Sequence, residues 1–333
     1  MDKILNFDKK ANGRMKEYDV IIVNYNGEKI ISDCLKSIYS SSVKPTKVIV
    51  YDNHSSDRSA KLIKAKFRKV ILIEGKRNIG FGNANNEAIK RSKAPYILFI
   101  NNDVIVHKHC SKVLLKSFEN NNLAILNPLI LKGWNLKDNS QVYSFGAEMN
   151  KSGFGYSLYD TSVDRTDLNC FSGACFMIRA DVIKKIKFEN NFFLYYEEPA
   201  LSIQILMRNK KIGRKSTAKC YHLESYSSPP IKGQGICFRQ YLSIQNRWYM
   251  IGKYWPTPLL ISAMPLNVLH LIYNLYIFIK NGQINKTKII YLSFLNLYRG
   301  RKKFDRKKNT IWTNNLPRSS LYELFNLQKK IYY

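Results

Sequence analysis

The residues best suited to chemistry are acids that directly follow apolar segments. Asp103 ends an Asn-Asn-Asp triplet behind one such segment, and the apolar pattern resumes at Val104, so its carboxylate has no evident capping or solvating task. A hard cation bound by one or two carboxylates and by phosphate oxygens would use this group. Glu197 and Glu198 form a second acidic site, at the end of an aromatic segment that begins at Phe192.

Alternating strands and helices must position these acids. Short apolar runs rich in β-branched residues predict strands, and apolar residues at three-to-four spacing between them predict helices. Such alternation is typical of an α/β fold with a mostly parallel, Rossmann-like sheet and helices on both faces. The predicted strands are 19–23, 47–51, 70–73 and 96–100, and the helices between them include 59–67 and 83–91.

The chain becomes less regular after Asp103. Meandering strands and loops are predicted over 127–167, and some of them are expected to cover the site. A small-residue turn then enters a strand that reaches residue 178, and two helices are predicted after it, at 181–186 and from about residue 201.

Four polar loops follow the predicted strands. In open α/β sheets, ligands bind in the crevice beyond the carboxyl ends of the strands. Asn, Asp, Gly and Ser are also ordinary turn formers, which explains any single loop. Four such loops at one edge favour a ligand site. They are residues 24–27, 52–57, 74–82 and 101–103.

Composition restricts the class of protein and its partners. The 333 residues are 45% apolar, which excludes a disordered chain and allows one large domain or two modest ones. The 54 basic residues against 24 acidic ones give a net charge of +30, which favours anionic partners such as nucleic acid, phosphorylated substrates or an acidic membrane. The six cysteines contain no Cys-x-x-Cys, and residues 1–16 do not resemble a secretory signal, so we expect reduced thiols in a cytosolic protein.

An ordered set of motifs resembles the family-two glycosyltransferases with the GT-A fold, in particular the rhamnosyltransferase-like branch that builds bacterial surface polysaccharides. The resemblance covers about residues 18–228. The motifs are Val-Asn-Tyr-Asn-Gly (23–27), Tyr-Asp-Asn-His-Ser-Ser-Asp (51–57), Arg-Asn-Ile-Gly-Phe-Gly-Asn-Ala-Asn-Asn (77–86), Asn-Asn-Asp (101–103), Ser-Gly-Ala (172–174), Phe-Phe-Leu-Tyr-Tyr-Glu-Glu (192–198) and His222.

The resemblance implies a nucleotide-sugar site. Asn24 and Tyr25 would line the nucleobase pocket, and Asp52 would hold the base or the ribose. Further residues would lie beside the nucleotide and its sugar. They are Asn78, Gly80, Phe81, Asn85, Asn86, Asn102 and Gly173.

The resemblance also implies a divalent metal, Mg²⁺ or Mn²⁺. Asp103 occupies the final position of the family's DXD-type motif, where a metal bridges protein and diphosphate. A dication there stabilises the charge that develops on the departing nucleoside diphosphate. His222 matches a position that often completes the metal site in relatives, although a lone histidine is also commonly structural.

The acid pair corresponds to the family's Glu-Asp element, whose second acid is the catalytic base of inverting enzymes. Glu198, next to Glu197, would remove the proton from the acceptor hydroxyl. Two acids at the start of a helix also suit the helix dipole, so this alternative stays open. The chain departs from the family at Glu198, where aspartate is usual, and at Ala200, where a second aspartate is usual. The change at Ala200 favours an alternative in which the chain is a catalytically silent nucleotide-binding scaffold.

The C-terminal third combines an apolar helix with basic residues. Residues 259–279 contain no Asp, Glu, Lys or Arg and are long enough to span a bilayer. Pro265 interrupts them, and Asn267, His270 and Asn274 form a polar stripe at helical spacing. We therefore predict a helix that lies in the membrane interface or packs on the catalytic domain.

The basic residues follow this helix and lead to two interpretations. They attract anionic lipid headgroups at about 1 kcal/mol per charge, or they form a solvated basic face. They are Lys280, Lys286, Lys288 and the run 299–308, with Tyr291, Tyr298 and Phe304 interleaved.

These observations predict an N-terminal extension (1–17), a GT-A transferase domain (18–230) and a helical, basic C-terminal region (231–333). The resemblance implies an inverting, cytoplasmic enzyme, peripheral on the inner face of the plasma membrane. It would move rhamnose from a dTDP donor, or a hexose from UDP, to a lipid-linked glycan in capsule or O-antigen synthesis. A homodimer is compatible with this function. A nucleic-acid-binding protein would explain the charge but leaves the polar loops and the acids without a role.

Overall fold

The computed structural model describes residues 16–118, 122–133, 141–223, 235–304 and 311–317. The strands are β1 (Tyr18–Asn24), β2 (Lys47–Asp52), β3 (Val70–Glu74), β4 (Tyr96–Asn101), β5 (Val104–Val106), β6 (Leu123–Lys132), β7 (Val142–Ser144), β8 (Ala147–Met149), β9 (Gly155–Ser157), β10 (Arg165–Leu168), β11 (Cys175–Arg179) and β12 (Lys211–His222). The α-helices are α1 (Ile31–Tyr39), α2 (Ser59–Lys66), α3 (Phe81–Ile89), α4 (Cys110–Ser117), α5 (Ala180–Ile186), α6 (Glu197–Leu206), α7 (Gly235–Tyr254), α8 (Thr257–Lys280) and α9 (Ile289–Lys302).

The main sheet has the strand order β10-β12-β6-β11-β4-β1-β2-β3. The run β4-β1-β2-β3 is parallel throughout, as the alternation of strands and helices predicts. β11 lies antiparallel between β4 and β6, and β6 pairs in parallel with β12. Beyond the run of parallel strands the sheet is therefore mixed.

Helices cover both faces of the sheet, which confirms the predicted α/β architecture. Apolar side chains of α1, α2 and α4, such as Leu35 and Leu114, pack on one face. Those of α3, α5 and α6, such as Ala88 and Leu201, pack on the other face. With both faces covered, the strands are apolar on both sides, as their continuous β-branched runs indicate.

The register of the parallel strands brings the polar loops together. Asn24 lies opposite Asp52, and Asn101 lies opposite Val23. The loops that follow β1, β2 and β4 therefore begin at nearly the same level of the sheet edge.

Two predicted helices begin earlier than the sequence indicates. α3 begins at Phe81 and α6 begins at Glu197, whereas the predicted starts are at residue 83 and near residue 201. The shift matters at α6 because Glu197 and Glu198 form its first turn, where acids are favoured by the helix dipole.

Three C-terminal helices pack together and against the sheet domain. A Cβ on Gly252 of α7 would lie 2.4 Å from the Leu297 carbonyl oxygen, and a Cβ on Gly300 of α9 would lie 2.2 Å from the Tyr249 carbonyl oxygen. Glycine at both positions allows the two helix backbones to approach closely.

The polar stripe of α8 faces inward. Arg247 of α7 donates to Asn267 Oδ1 at 2.8 Å, and its guanidinium lies 2.9 Å from His270 Nδ1. The Asn267 amide donates to the Ser152 carbonyl of the sheet domain at 3.0 Å. Of the predicted alternatives, packing on the catalytic domain therefore describes this stripe.

The apolar face of α8 is turned to the surface. Several of its side chains are more than half exposed, namely Ile261, Leu269, Ile272, Tyr276 and Ile279. In the described part of the chain, α8 is the one helix with the length and composition needed to cross a membrane. The basic run at 299–308 is described only as far as residue 304, so its last residues lie outside the described residues.

We expect the substitution Gly300→Ala to destabilise the packing of α9 on α7. The added methyl group overlaps a backbone carbonyl that cannot rotate away, and overpacking of this kind costs about 2 kcal/mol. Chemical denaturation monitored by tryptophan fluorescence measures the change. Ser262→Ala, at an exposed position of α8, is the matched control and should change stability little. Equal stability of Gly300→Ala and the unsubstituted protein would contradict this packing.

Candidate active site

Asn24, at the end of β1, is the centre of a buried hydrogen-bond network. Its amide nitrogen donates to Asp52 Oδ2 at 2.8 Å and to Ser59 Oγ at 2.9 Å. Its amide oxygen accepts from Asn102 Nδ2 at 3.0 Å. Asp52 also accepts from the Ser55 backbone N–H at 2.9 Å. Because Asn24, Asp52 and Asn102 are buried, these bonds replace contacts with water, and they join the loops after three neighbouring strands.

Asn53 holds the loop that follows β3. Its amide donates to Asn78 Oδ1 at 2.8 Å and accepts from the Ile79 N–H at 2.9 Å. Asn78 Oδ1 also accepts from the Gly80 N–H at 3.0 Å. Gly80 has φ of +83°, and a Cβ there would lie 2.2 Å from the Phe193 carbonyl oxygen. Glycine is therefore needed where this loop meets the aromatic segment.

The first turns of α3 contact the chain between α5 and α6. The Phe81 N–H donates to the Phe193 carbonyl at 3.0 Å. Asn86 donates to the Phe188 carbonyl at 2.9 Å and accepts from the Phe188 N–H at 3.0 Å. Asn85 is buried and donates to the Phe81 carbonyl at 3.1 Å. Asn86 thus connects α3 to the segment that precedes the acid pair, and the Asn85 bond is internal to α3.

Asp103 and His222 lie side by side. The antiparallel pairing of β5 and β12 places His222 opposite Val104, next to Asp103. His222 Nε2 lies 3.0 Å from Asp103 Oδ1, and both residues are buried. His222 Nδ1 is buried without a hydrogen-bond partner. A carboxylate beside an imidazole is a donor set that fits a divalent cation.

This pair alone is a small donor set. Among the described residues, His, Cys, Asp and Glu form no group of three or more that could hold a metal. A cation at Asp103 and His222 would therefore need further ligands, such as phosphate oxygens and water.

The acid pair follows two residues with left-handed backbone. Tyr195 and Tyr196 have φ of +74° and +72°, a conformation that costs about 1–3 kcal/mol for each such residue. The turn puts the two acids in different surroundings. Glu197 is buried, with its Cγ 3.3 Å from the position of a Cβ on Gly82, whereas Glu198 is only partly buried. Glu198 is thus the member of the pair that a ligand can reach.

Glu198 lies against the loop between β10 and β11. A Cβ on Gly173 would lie 1.8 Å from Glu198 Oε1, so glycine alone leaves room for this carboxylate. Asn127, buried in β6, fixes the loop. Its amide donates to the Ser172 carbonyl at 2.9 Å and accepts from the Ser172 N–H at 3.0 Å.

Burial changes the ionisation of both acids. Burial is the main cause that raises the pKa of Glu197 well above its usual range, and the neighbouring Glu198 carboxylate is the second cause. Burial also raises the pKa of Glu198. A carboxyl group with a raised pKa is a stronger base once ionised, which suits proton removal near neutral pH.

Asn246 of α7 anchors the segment that leads to the acid pair. Its amide nitrogen donates to the Leu194 carbonyl at 2.9 Å and to the Tyr195 carbonyl at 2.8 Å. At the other end of the segment, Lys253 of the same helix forms an ion pair with Glu189. The C-terminal region thus fixes the backbone on which the acids stand.

The structure brings the residues at the ends of β1, β2 and β4 together at one sheet edge, whereas Asn85 and Asn86 bond within α3 and to the segment before the acid pair. Tyr25 is partly buried in the loop after β1. Ala200, where the family has a second aspartate, is buried in an apolar cluster with Tyr249 and Trp255. The predicted contacts of the site residues with nucleotide, sugar and metal stay predictions.

Sequence reasoning missed three asparagines that hold the site together. Asn127 interrupts an otherwise apolar run in β6, which is a signal of a buried polar group with a specific partner. Asn53 lies inside the motif 51–57 but its partners are distant in sequence. No sequence pattern identifies Asn246, because nothing in a basic, aromatic helix indicates which residue faces the segment that precedes the acid pair.

We expect Glu197→Gln to stabilise the protein at neutral and higher pH. In the unfolded chain glutamate titrates near pH 4.3, so the native state binds the proton more tightly, and stability is lost as pH rises from about 4.3 towards the raised pKa. Glutamine carries no charge and avoids this loss. Thermal melting between about pH 4 and pH 8 should show a gain that is small at low pH and grows with pH.

Glu17→Gln is the matched control because Glu17 is exposed at the opposite end of β1. It should not give a gain that grows with pH. A melting temperature of Glu197→Gln that falls below that of the unsubstituted protein at about pH 8 would show that the ionised carboxylate is stabilised by its surroundings.

The chain matches known proteins along most of its length. The family model for glycosyl transferase family 2 matches residues 19–187, or 169 of the 333 residues. A poly(ribitol-phosphate) beta-glucosyltransferase of Bacillus spizizenii is 27% identical over 214 residues, which are 61% of this chain and 32% of that protein. The chain thus spans about a third of the length of that relative.

Two solved structures share the fold. A Staphylococcus aureus TarS fragment (residues 1–349) in complex with UDP superposes with a TM-score of 0.51 at 15% identity, covering 90% of this chain and 98% of the fragment. A Pyrobaculum calidifontis mannosyltransferase in complex with GDP-Man and Mn²⁺ gives a TM-score of 0.50 at 14% identity, covering 91% and 84%. With the sheet described above and a family model over half of its length, the chain belongs to glycosyl transferase family 2 and has the GT-A fold.

Proposed function

We propose that the chain transfers a sugar from a nucleoside-diphosphate donor to a glycan acceptor, with inversion at the anomeric carbon. The observation that carries the proposal is the position of Glu198, which lies against Gly173 at the sheet edge where the polar loops converge. The Asn101 N–H donates to the Ala174 carbonyl at 2.9 Å, which connects the loop of Asp103 to the loop that contacts Glu198. An acid that can accept a proton and an acid that can hold a cation thus lie on connected loops.

The buried network around Asn24 and Asp52 supports a nucleotide site at the ends of β1 and β2. The amide nitrogen and the amide oxygen of Asn24 both form hydrogen bonds within the protein. The role of Asn24 in this proposal is therefore to position Asp52 and the neighbouring Tyr25. Tyr25 is partly exposed and carries the aromatic surface for a nucleobase. The donor is a dTDP-, UDP- or GDP-linked sugar, with dTDP-rhamnose or a UDP-hexose as the first candidates.

Asp103 and His222 would hold the divalent cation, Mg²⁺ or Mn²⁺. The buried imidazole whose Nε2 lies 3.0 Å from the buried Asp103 carboxylate supports this assignment. A bound dication would stabilise the negative charge of the leaving diphosphate. The Asn102 amide nitrogen donates to Asn24, which ties this residue to the loop after β1.

Glu198 acts in this proposal as the general base. Its carboxylate takes the proton of the acceptor hydroxyl while that oxygen attacks the anomeric carbon from the side opposite the diphosphate. The raised pKa gives the carboxylate useful basicity, and Gly173 leaves it room. Glu197 is the buried neighbour of this base in the first turn of α6.

The burial of Ala200 in an apolar cluster accounts for the missing second aspartate. A carboxylate at this position would be taken out of water among aromatic side chains of α7. This packing is compatible with alanine in place of the family's aspartate, and a turnover assay distinguishes a transferase from a silent scaffold.

We expect the purified protein to release one nucleoside diphosphate from a panel of dTDP-, UDP- and GDP-sugars when Mn²⁺ is present. Glu198→Gln should lower this rate by about 10²–10⁴-fold, since it removes the base and keeps the shape. Asp103→Asn should lower it and weaken the response to Mn²⁺. Glu17→Gln, an exposed acid far from the crevice, should retain the rate.

Turnover that persists in Glu198→Gln would contradict the assigned base. Binding of a nucleotide without any turnover would instead support a scaffold function. Binding to DNA or RNA that weakens steeply with salt, with no affinity for nucleotides, would favour the nucleic-acid alternative.

We propose further that the C-terminal region holds the enzyme on the inner face of the plasma membrane, where a lipid-linked acceptor would be presented. The polar stripe of α8 is buried with a few apolar neighbours, and its opposite side is apolar and exposed, unlike the polar outer side of a surface helix in a soluble protein. The exposed apolar face continues on α9 with Ile290, Tyr291, Phe294 and Tyr298. Exposed Lys280 and Lys288 flank this face and suit anionic headgroups.

We expect the protein to float with vesicles that contain phosphatidylglycerol and to bind pure phosphatidylcholine vesicles weakly. Replacing Leu269 and Ile272 together by serine should weaken binding by tenfold or more, because each buried aliphatic side chain contributes about 1.5–3 kcal/mol. Val163→Ser, an exposed apolar residue of the sheet domain, is the control and should bind normally. Unchanged flotation of the Leu269→Ser, Ile272→Ser variant would contradict a membrane-facing α8.

A further inference from the structure

A cleft lies between α7, α9 and the segment that precedes the acid pair. Its volume is about 440 Å³, large enough for a phosphorylated sugar or polyol unit. Basic, amide and aromatic side chains line it, and no acidic residue is among them. The lining residues are Asn191, Phe192, Gln245, Asn246, Tyr249, Asn296, Arg299, Lys302 and Lys303.

The charges in the cleft come from the last turn of α9. Arg299, Lys302 and Lys303 are exposed, and none of them forms an ion pair among the described residues. Gly300, between them, lets α9 approach the α7 backbone closely and so brings these cations to the cleft wall. Cations in a last helical turn are also favoured by the helix dipole, but the dipole does not explain the amides that face them.

The cleft adjoins the segment that precedes the acid pair. It lies on the side of this segment that faces away from the polar loops predicted to bind the donor. On one side, the Phe193 carbonyl of this segment accepts from Phe81 of α3. On the other side, Asn246 lines the cleft and donates to the carbonyls of Leu194 and Tyr195. A group bound in the cleft would therefore lie next to the backbone that carries Glu198, opposite the donor loops.

We propose that this cleft binds a phosphate ester carried by the acceptor. A phosphate ester carries more negative charge and more oxygens than a carboxylate, so it is the better ligand for three cations. A guanidinium can bind two phosphate oxygens at once. The amides of Asn191, Gln245 and Asn296 are suited to hydroxyl groups of the attached sugar or polyol. The inference rests on the proposed glycosyl transfer and adds the chemistry of the acceptor to it.

The test measures binding and not turnover, so that failure of the donor assay does not decide it. Titration calorimetry with sn-glycerol 3-phosphate, in the presence of a chelator to remove metal, should show saturable binding to the full chain, and glycerol should show none. Replacing Arg299 and Lys303 together by alanine should weaken binding by about tenfold or more.

Two double variants control for net charge and for folding. Lys61 and Arg68, which are exposed near α2, remove the same charge when replaced by alanine and should leave binding intact. Arg299→Lys with Lys303→Arg keeps both charges and should retain most of the affinity. Absence of binding to the unsubstituted protein, or equal binding by the Arg299→Ala, Lys303→Ala variant, would overturn the proposal.

Phosphatidylglycerol vesicles distinguish the two sources of a phosphate ester. If the cleft binds the acceptor, dissolved sn-glycerol 3-phosphate binds in the absence of lipid. If the dissolved ester does not bind, and vesicle binding alone depends on Arg299 and Lys303, the cleft is a headgroup contact and the assignment to the acceptor is overturned.

Discussion

The two hydrogen bonds from Asn246 to the carbonyls of Leu194 and Tyr195 are the interaction on which the rest of the site depends. They compensate for the left-handed backbone at Tyr195 and Tyr196, a conformation that persists only where surrounding structure fixes it. That turn starts α6 at Glu197 and separates a buried acid from an accessible one. The C-terminal helices are therefore part of the proposed active site, since they hold the backbone that precedes Glu198.

The same helices connect the site to two surfaces of opposite character. The side of α7 and α9 that faces the segment before the acid pair carries cationic side chains and amides, which suit the proposed phosphorylated acceptor. The outer side of α8 and α9 is apolar. Burial of Arg247 with Asn267 and His270 holds α8 in the orientation that exposes its apolar face. In the proposed function, this region turns the crevice towards a membrane and binds an acceptor presented there.

The strands and the order of the polar loops could be predicted from the sequence, because parallel strands buried on both faces give continuous apolar runs. The GT-A fold followed from the resemblance of the motifs to a known family. The role of the supporting asparagines could not be predicted. Asn127 and Asn246 contact partners that are 45 and 51 residues away at the nearest, and no local pattern encodes such distances. The inward orientation of the polar stripe on α8 was also not determined by its period, since the spacing fixes a face and not what covers it.

The most direct test of this account is a crystal structure with UDP and Mn²⁺, with the metal located by its anomalous scattering. The account predicts a single strong peak within coordination distance of the Asp103 carboxylate and the His222 imidazole, with diphosphate oxygens completing the site and Glu198 facing the crevice. Nucleotide bound elsewhere on the sheet, or a metal that contacts neither Asp103 nor His222, would contradict it.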